Sequence, residues 1–184
     1  MVPEAKLRET ESGLVPEGEG WFVVNTREAR WFEHAAFGRY SRFEGDARFP
    51  EVGINISVLE PGNASCMYHG ENNQEDFLVL TGECLLLVEG EERPLKAWDF
   101  VHCPPDTEHG FVGAGDGPCV IFMTGARKGW PESRGTVYVR NELAIRHGVG
   151  VEKETTVSAE AYAPFPKWQP GPPESWDGLP WAKP

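Results

Sequence analysis

Between residues 52 and 58 apolar side chains occupy every second position: Val52, Ile54, Ile56 and Val58 alternate with Gly53, Asn55 and Ser57. A period of two belongs to a strand with one buried face, and here it ends at the Pro61-Gly62 turn. Short runs of similar character follow near 65–69, 76–81, 84–88, 99–103, 109–112, 119–124 and 136–139. Turn signals separate them at Gly82, Glu89-Gly90-Glu91, Pro104-Pro105, Gly115-Asp116-Gly117 and Gly125. Many short strands at regular turn spacing predict an all-β sandwich or barrel.

The flanks are less regular. Residues 1–20 are rich in Glu and Gly without periodicity and read as a flexible lead-in. Trp21-Phe22-Val23-Val24 reads as a strand, and Thr26 as the cap of a helical turn through Trp31. From Ala35 to Pro50 aromatic residues alternate with arginines and glycines, the pattern of a loop or edge strand closing one end of the barrel. A sharper reading makes this segment a lid in which Arg39, Arg42 or Arg48 meets an acidic substrate. Downstream, Asn141 predicts a short helix over 142–147 stopped by Gly148, and 158–163 a second helical turn. The segment from Pro164 carries Trp168, Trp176 and Trp181 among many prolines, which predicts an extended strap lying on the barrel or on a neighbouring subunit. The expected organisation is a lead-in at 1–20, a barrel at 21–140 and a helix-plus-strap region at 141–184.

With 184 residues the chain is long enough for one well-buried core. Its net charge of -12 argues against nucleic acid or an anionic membrane surface as a partner. No apolar run reaches membrane-spanning length and residues 1–6 lack a signal-like apolar stretch, so the expected location is the cytoplasm. Cys66, Cys84, Cys103 and Cys119 have no paired spacing, which in that compartment predicts reduced, structural thiols.

The chemistry concentrates between His69 and His109. His69 and Glu71 share one strand parity, and Glu75 shares that of Phe77 and Val79, so an imidazole and two carboxylates point toward one interior. His109 follows a hairpin pattern and a Pro-Pro-Asp turn, with enough chain to fold back and add a second imidazole. Mixed nitrogen and oxygen donors suit a divalent transition metal. Cys66 has the opposite parity to His69, and His34, His102 and His147 read as structural or solvated. Tyr68, Phe77, Phe100, Phe111 and Phe122 read as core aromatics.

The run Pro61-Gly62, His69-x-Glu71-x3-Glu75 and Phe77-Leu78-Val79-Leu80-Thr81-Gly82 resembles the first motif of the cupin superfamily. Asp99-x-Val101-x-Cys103-Pro104-x4-His109 resembles its second, and together the two cover about residues 52–124. The resemblance implies a single jelly-roll barrel, a homodimer, and one divalent metal per chain from among Fe, Mn, Ni, Zn, Co or Cu. Carried over, the metal ligands are His69, Glu75 and His109, with Glu71 where the family has a second histidine. Trp98 and Asp106 stand where it has glycines.

Two ligand sets remain open. If His69, Glu75 and His109 bind alone, they form the two-histidine, one-carboxylate set of Fe(II) oxygenases, and Glu71 is free as a general base. If Glu71 also binds, two imidazoles and two carboxylates suit Lewis-acid chemistry on a hydroxy or keto compound. The leading expectation is a mononuclear metal-dependent enzyme of dioxygenase type acting on a small organic molecule. A non-catalytic small-molecule sensor and a metal-dependent isomerase or lyase are the alternatives.

Overall fold

The computed structural model describes residues 1–129 and 135–171. Its strands are β1 (Lys6–Thr10), β2 (Gly13–Glu17), β3 (Trp31–His34), β4 (Gly38–Arg42), β5 (Val52–Leu59), β6 (Glu75–Thr81), β7 (Glu83–Val88), β8 (Glu91–Lys96), β9 (Phe100–Cys103), β10 (His109–Ala114), β11 (Cys119–Ala126) and β12 (Gln169–Pro170). Two short helices, α1 (Glu142–Arg146) and α2 (Ser158–Ala161), follow the main body of strands. A seven-stranded sheet, ordered β12-β3-β4-β5-β11-β6-β9, faces a three-stranded sheet, β10-β7-β8, while β1 and β2 form a separate hairpin. Every ladder is antiparallel. The fold is therefore all-β, the two-sheet arrangement of a jelly-roll barrel.

Alternation along the strands builds the core. Phe77 and Val79 of β6, Cys119 and Ile121 of β11, Cys84 and Leu86 of β7 and Phe111 of β10 meet between the sheets. Phe111 is 1% exposed, and burying a side chain of that size contributes on the order of 2–3 kcal/mol. The alternate residues Leu87 and Val112 face out from the small sheet and are covered by Leu143 and Ala144 of α1, Tyr138, Val149 and Ala161. Ile56, Val58 and Val120 face out from the large sheet onto Trp31, with Phe43 and Phe122 at the margin. The apolar stripe of β5 thus packs on an outer layer, and its polar stripe, Asn55 and Ser57, lines the interior cavity.

Several sequence expectations need correcting. The segment read as a flexible lead-in folds into the β1–β2 hairpin, with Val15 at 1% exposure. Its burial depends on partners distant in sequence that no local period encodes. Thr26 caps no helix; Asn25 instead accepts the Arg27 amide in a tight turn. Residues 65–69 and 136–139 form isolated bridges, not strands. The arginine-rich segment contributes β4, an internal strand of the large sheet. Phe100 is 64% exposed on the β9 edge, outside the core. The Asn141 cap and α1 form as expected, with the Asn141 side chain accepting from Leu143 and Ala144. Of the strap, Trp168 and β12 are described and dock on β3, whereas Trp176 and Trp181 lie outside the described residues.

Trp98 and Asp106 adopt φ of 74° and 69°. Both positions keep the left-handed turn geometry that glycine accommodates without strain, although neither is glycine.

Candidate metal centre

Three elements meet at the cavity mouth. Glu75 begins β6 with the parity of Phe77 and Val79, His109 begins β10 with the parity of Phe111, and His69 bridges His109 through paired backbone hydrogen bonds of 3.1 and 2.8 Å. One potential ligand atom from each of His69, Glu75 and His109 falls within 4.8 Å of the others. All three are buried or nearly so, with His109 at 2% exposure.

Backbone carbonyls orient both imidazoles. His69 Nδ1–H donates to Met67 O at 2.8 Å, and His109 Nδ1–H donates to Thr107 O at 3.0 Å. Each ring thereby presents Nε2 to the group, the arrangement that fixes metal-binding histidines. Glu75 Oε2 lies 3.2 Å from His109 Nε2 yet is a buried oxygen with no hydrogen-bond partner. A buried carboxylate oxygen left in this way costs free energy unless a cation takes it, so the three residues fit a divalent metal. Burial tends to raise the Glu75 pKa, but His109 and His69 outweigh it and hold it below the usual carboxylate value. Burial opposes charge on His69; Cys66 and Glu75 overcome it and push that imidazole up to about 10.

Glu71 stands outside this group. Its Oε1 lies 3.8 Å from His69 Nε2 and accepts a hydrogen bond from Thr136 Oγ1 at 3.0 Å, with its side chain about a third exposed. Cys66 lines the cavity with Sγ 3.7 Å from His69 Nδ1, because the irregular backbone at 65–69 breaks the strand parity that would turn it away. The other histidines are structural: His34 packs on Phe37 and Trp168, His102 pairs with Asp76 at 2.6 Å, and His147 with Glu92 at 2.8 Å. All four cysteines are free thiols.

The cavity measures 530 Å³, a size suited to a small organic ligand. Its walls include Tyr40, Asn55, Ser57, Thr136, Tyr138 and Trp168. Residues 135–171 close one side, anchored where the Met67 amide donates to Tyr162 Oη at 3.1 Å. The inward polar stripe of β5 was visible in the alternation at 52–58 but reads equally well as a solvent face. Nothing local in sequence marks Thr136 or Tyr138, which reach the site from a distant segment.

Residues 55–125 match the family described as Cupin domain. A sugar phosphate isomerase of the cupin superfamily from Silicibacter pomeroyi aligns at 24% identity over 57% of this chain and 75% of that one, with a TM-score of 0.50. The polyketide cyclase RemF from Streptomyces resistomycificus aligns at 14% identity over 56% and 78%, with a TM-score of 0.49. A protein from Acidithiobacillus ferrooxidans reaches 30% identity over 42% of this chain, with a TM-score of 0.40, and the match spans about half (51%) of that protein. No curated protein matches. Residues 55–125, the heart of the barrel, form a cupin domain, and the fold around them is that of the Silicibacter pomeroyi protein. Among the described residues no helix is long and apolar enough to cross a membrane.

Proposed function

We propose that this cupin is a mononuclear metal-dependent oxidoreductase of dioxygenase type acting on a small organic molecule, with the metal held by His69, Glu75 and His109. The observation that carries the reading is the separation of Glu71 from the three-residue group. Two imidazoles and one carboxylate leave room on a six-coordinate metal for both substrate and dioxygen. A metal bound there supplies Lewis acidity and, as Fe(II), the capacity to activate dioxygen.

The chain's own residues divide the remaining work. Thr136 holds Glu71 Oε1, which aims the carboxylate at the cavity and leaves Oε2 to take a proton from substrate. Phe77 and Phe111 form an apolar floor that excludes water. The hydroxyl and amide groups of Tyr40, Asn55 and Ser57 orient the substrate's polar end.

A second reading, a metal-dependent isomerase or lyase, is favoured by the same Glu71 carboxylate, which could shuttle a proton between carbons of a hydroxy or keto compound. The Silicibacter pomeroyi neighbour is named a sugar phosphate isomerase. On this reading the protein is a cytoplasmic homodimer, and light scattering of the purified protein tests the dimer.

Oxygen uptake by Fe(II)-loaded protein, measured against a panel of hydroxy and keto acids and diols, separates the readings. Substrate-dependent uptake supports the dioxygenase. Rearrangement of a panel member without uptake, seen by NMR, supports the isomerase. Thermal stabilisation by a ligand that persists in metal-stripped protein, with no conversion, indicates a sensor and contradicts both.

A further inference from the structure

Arginines gather beside the end of the cavity that β4 borders, across the large sheet from Glu75. On β4 Tyr40 lies opposite Ser57, and Arg42 lies opposite Asn55. Tyr40, Asn55 and Ser57 line the cavity, and Arg42, two residues beyond Tyr40 on the same strand, projects from the same face. Arg42 is half-buried, and its Nε is shut off from water with no hydrogen-bond partner. No carboxylate among the described residues pairs with it.

Its neighbours are committed elsewhere. Arg127 grips both oxygens of the fully buried Glu44 carboxylate and also donates to Phe49 O, and Arg48 donates to Glu44 Oε2 at 3.1 Å. Arg30 donates to Glu44 O at 2.7 Å and lies over the Phe32 ring. Burial raises the Tyr40 pKa, while Arg42, Arg30 and Arg48 pull it down, so three guanidiniums act on one phenol. Asp46 is the other acid acting on Arg30. In a chain of net charge -12 this corner gathers four arginines around Glu44 and Asp46, and Arg42 is left over.

We propose that Arg42, with the Tyr40 hydroxyl and the Asn55 amide beside it, binds an oxyanion, the carboxylate or phosphate of a small substrate. A guanidinium presents paired donors to either group, and partial burial strengthens the attraction. Two strands, β5 and β11, separate β4 from the Glu75 strand, so the anion lies about 14 Å from Glu75 measured along the sheet. Sheet curvature shortens that path, and a small anionic molecule can touch both ends of the cavity. The anion site stands on Arg42 itself; only the placement of the substrate's other end rests on the proposed metal function.

Metal-stripped full-length protein, titrated calorimetrically with inorganic phosphate and separately with succinate, tests the site. Wild type is expected to bind one or both anions saturably, and the preferred anion identifies phosphate or carboxylate as the substrate group. Arg42→Ala is expected to lose about tenfold or more in affinity, as for a charged hydrogen bond. Arg42→Lys loses less, Tyr40→Phe loses a few-fold, and the exposed control Arg146→Ala is unchanged. Binding that is absent in wild type, or equal in wild type and Arg42→Ala, overturns the proposal. If Arg42→Ala fails to fold, Arg42→Lys and Tyr40→Phe decide it, since full wild-type affinity in both contradicts the site. Because the protein is stripped, a failed metal assignment leaves this result intact.

Discussion

Glu71 Oε1 sits 3.8 Å from His69 Nε2, held by the Thr136 hydroxyl, while Glu75 four residues later joins the two histidines. Neighbouring carboxylates thus occupy different environments. Glu75 is enclosed and charge-compensated, and Glu71 is partly open to the cavity.

That difference separates metal binding from chemistry. Glu71→Gln is expected to retain the metal yet lower turnover about 10²–10⁴-fold, the usual contribution of a general base. Thr136→Val is expected to show a smaller loss in turnover with unchanged metal content. Parallel elemental analysis and rate measurements on the two variants check this.

Glu44 gives a pH-dependent prediction. Burial works to raise its pKa, but Arg127, the Phe49 amide and Arg48 hold it below the usual carboxylate value. A depressed folded-state pKa contributes stability that is present above the unfolded value and lost as pH falls through the folded one. Glu44→Gln is expected to cost on the order of 3 kcal/mol near neutral pH, because Arg127 loses its buried partner. The gap from wild type should narrow below about pH 4.5, the range where an unfolded carboxylate takes up its proton. Urea melts of both proteins from pH 3 to 8, taken in metal-stripped form, measure that gap; a pH-independent difference would contradict the assignment.

Much of the barrel could be read from sequence where one residue's neighbours in the chain decide its fate. The strands β5, β6, β7, β9, β10 and β11 announce themselves by alternation and turn residues, whereas the charged, exposed β8 does not, and Asn141 marks α1. The grouping of His69, Glu75 and His109 was legible from motif spacing, with Glu75 and His109 opening β6 and β10 and His69 on a bridge to His109. What escaped was set by long-range packing. The Glu44–Arg127 pair and the arrival of Thr136 and Tyr138 at the cavity join segments far apart in the chain, and the β1–β2 hairpin, local in itself, is tied down by a bridge from Leu14 to Ala29. Cys66 was misplaced because strand parity was applied to a backbone that is not a strand.

Trp98 shows that local strain can be tolerated. Its φ of 74° suits glycine, and the residue is 75% exposed, so the side chain gains little from packing. Trp98→Gly is expected to stabilise the protein by roughly 1 kcal/mol, read from the denaturation midpoint. Destabilisation instead would show that the exposed ring has a partner.

Trp168 tests the closing segment. It contacts His34 at 5.2 Å and Tyr40 at 4.7 Å between ring centroids, and it lines the cavity. Trp168→Ala is expected to cost about 2 kcal/mol, less than a fully buried tryptophan because the ring is only half-buried. It should also raise the cavity's accessibility to a solvent quencher of Tyr40 and Tyr138 fluorescence.

The metal centre itself is tested most directly by elemental analysis of tag-free protein purified without chelator, alongside His109→Ala and Glu71→Ala. About one metal per chain in wild type, its loss in His109→Ala and its retention in Glu71→Ala are expected from a three-residue ligand set. An empty wild-type protein that cannot be reloaded would contradict the metal centre, and metal loss in Glu71→Ala would make that carboxylate a ligand instead of a base.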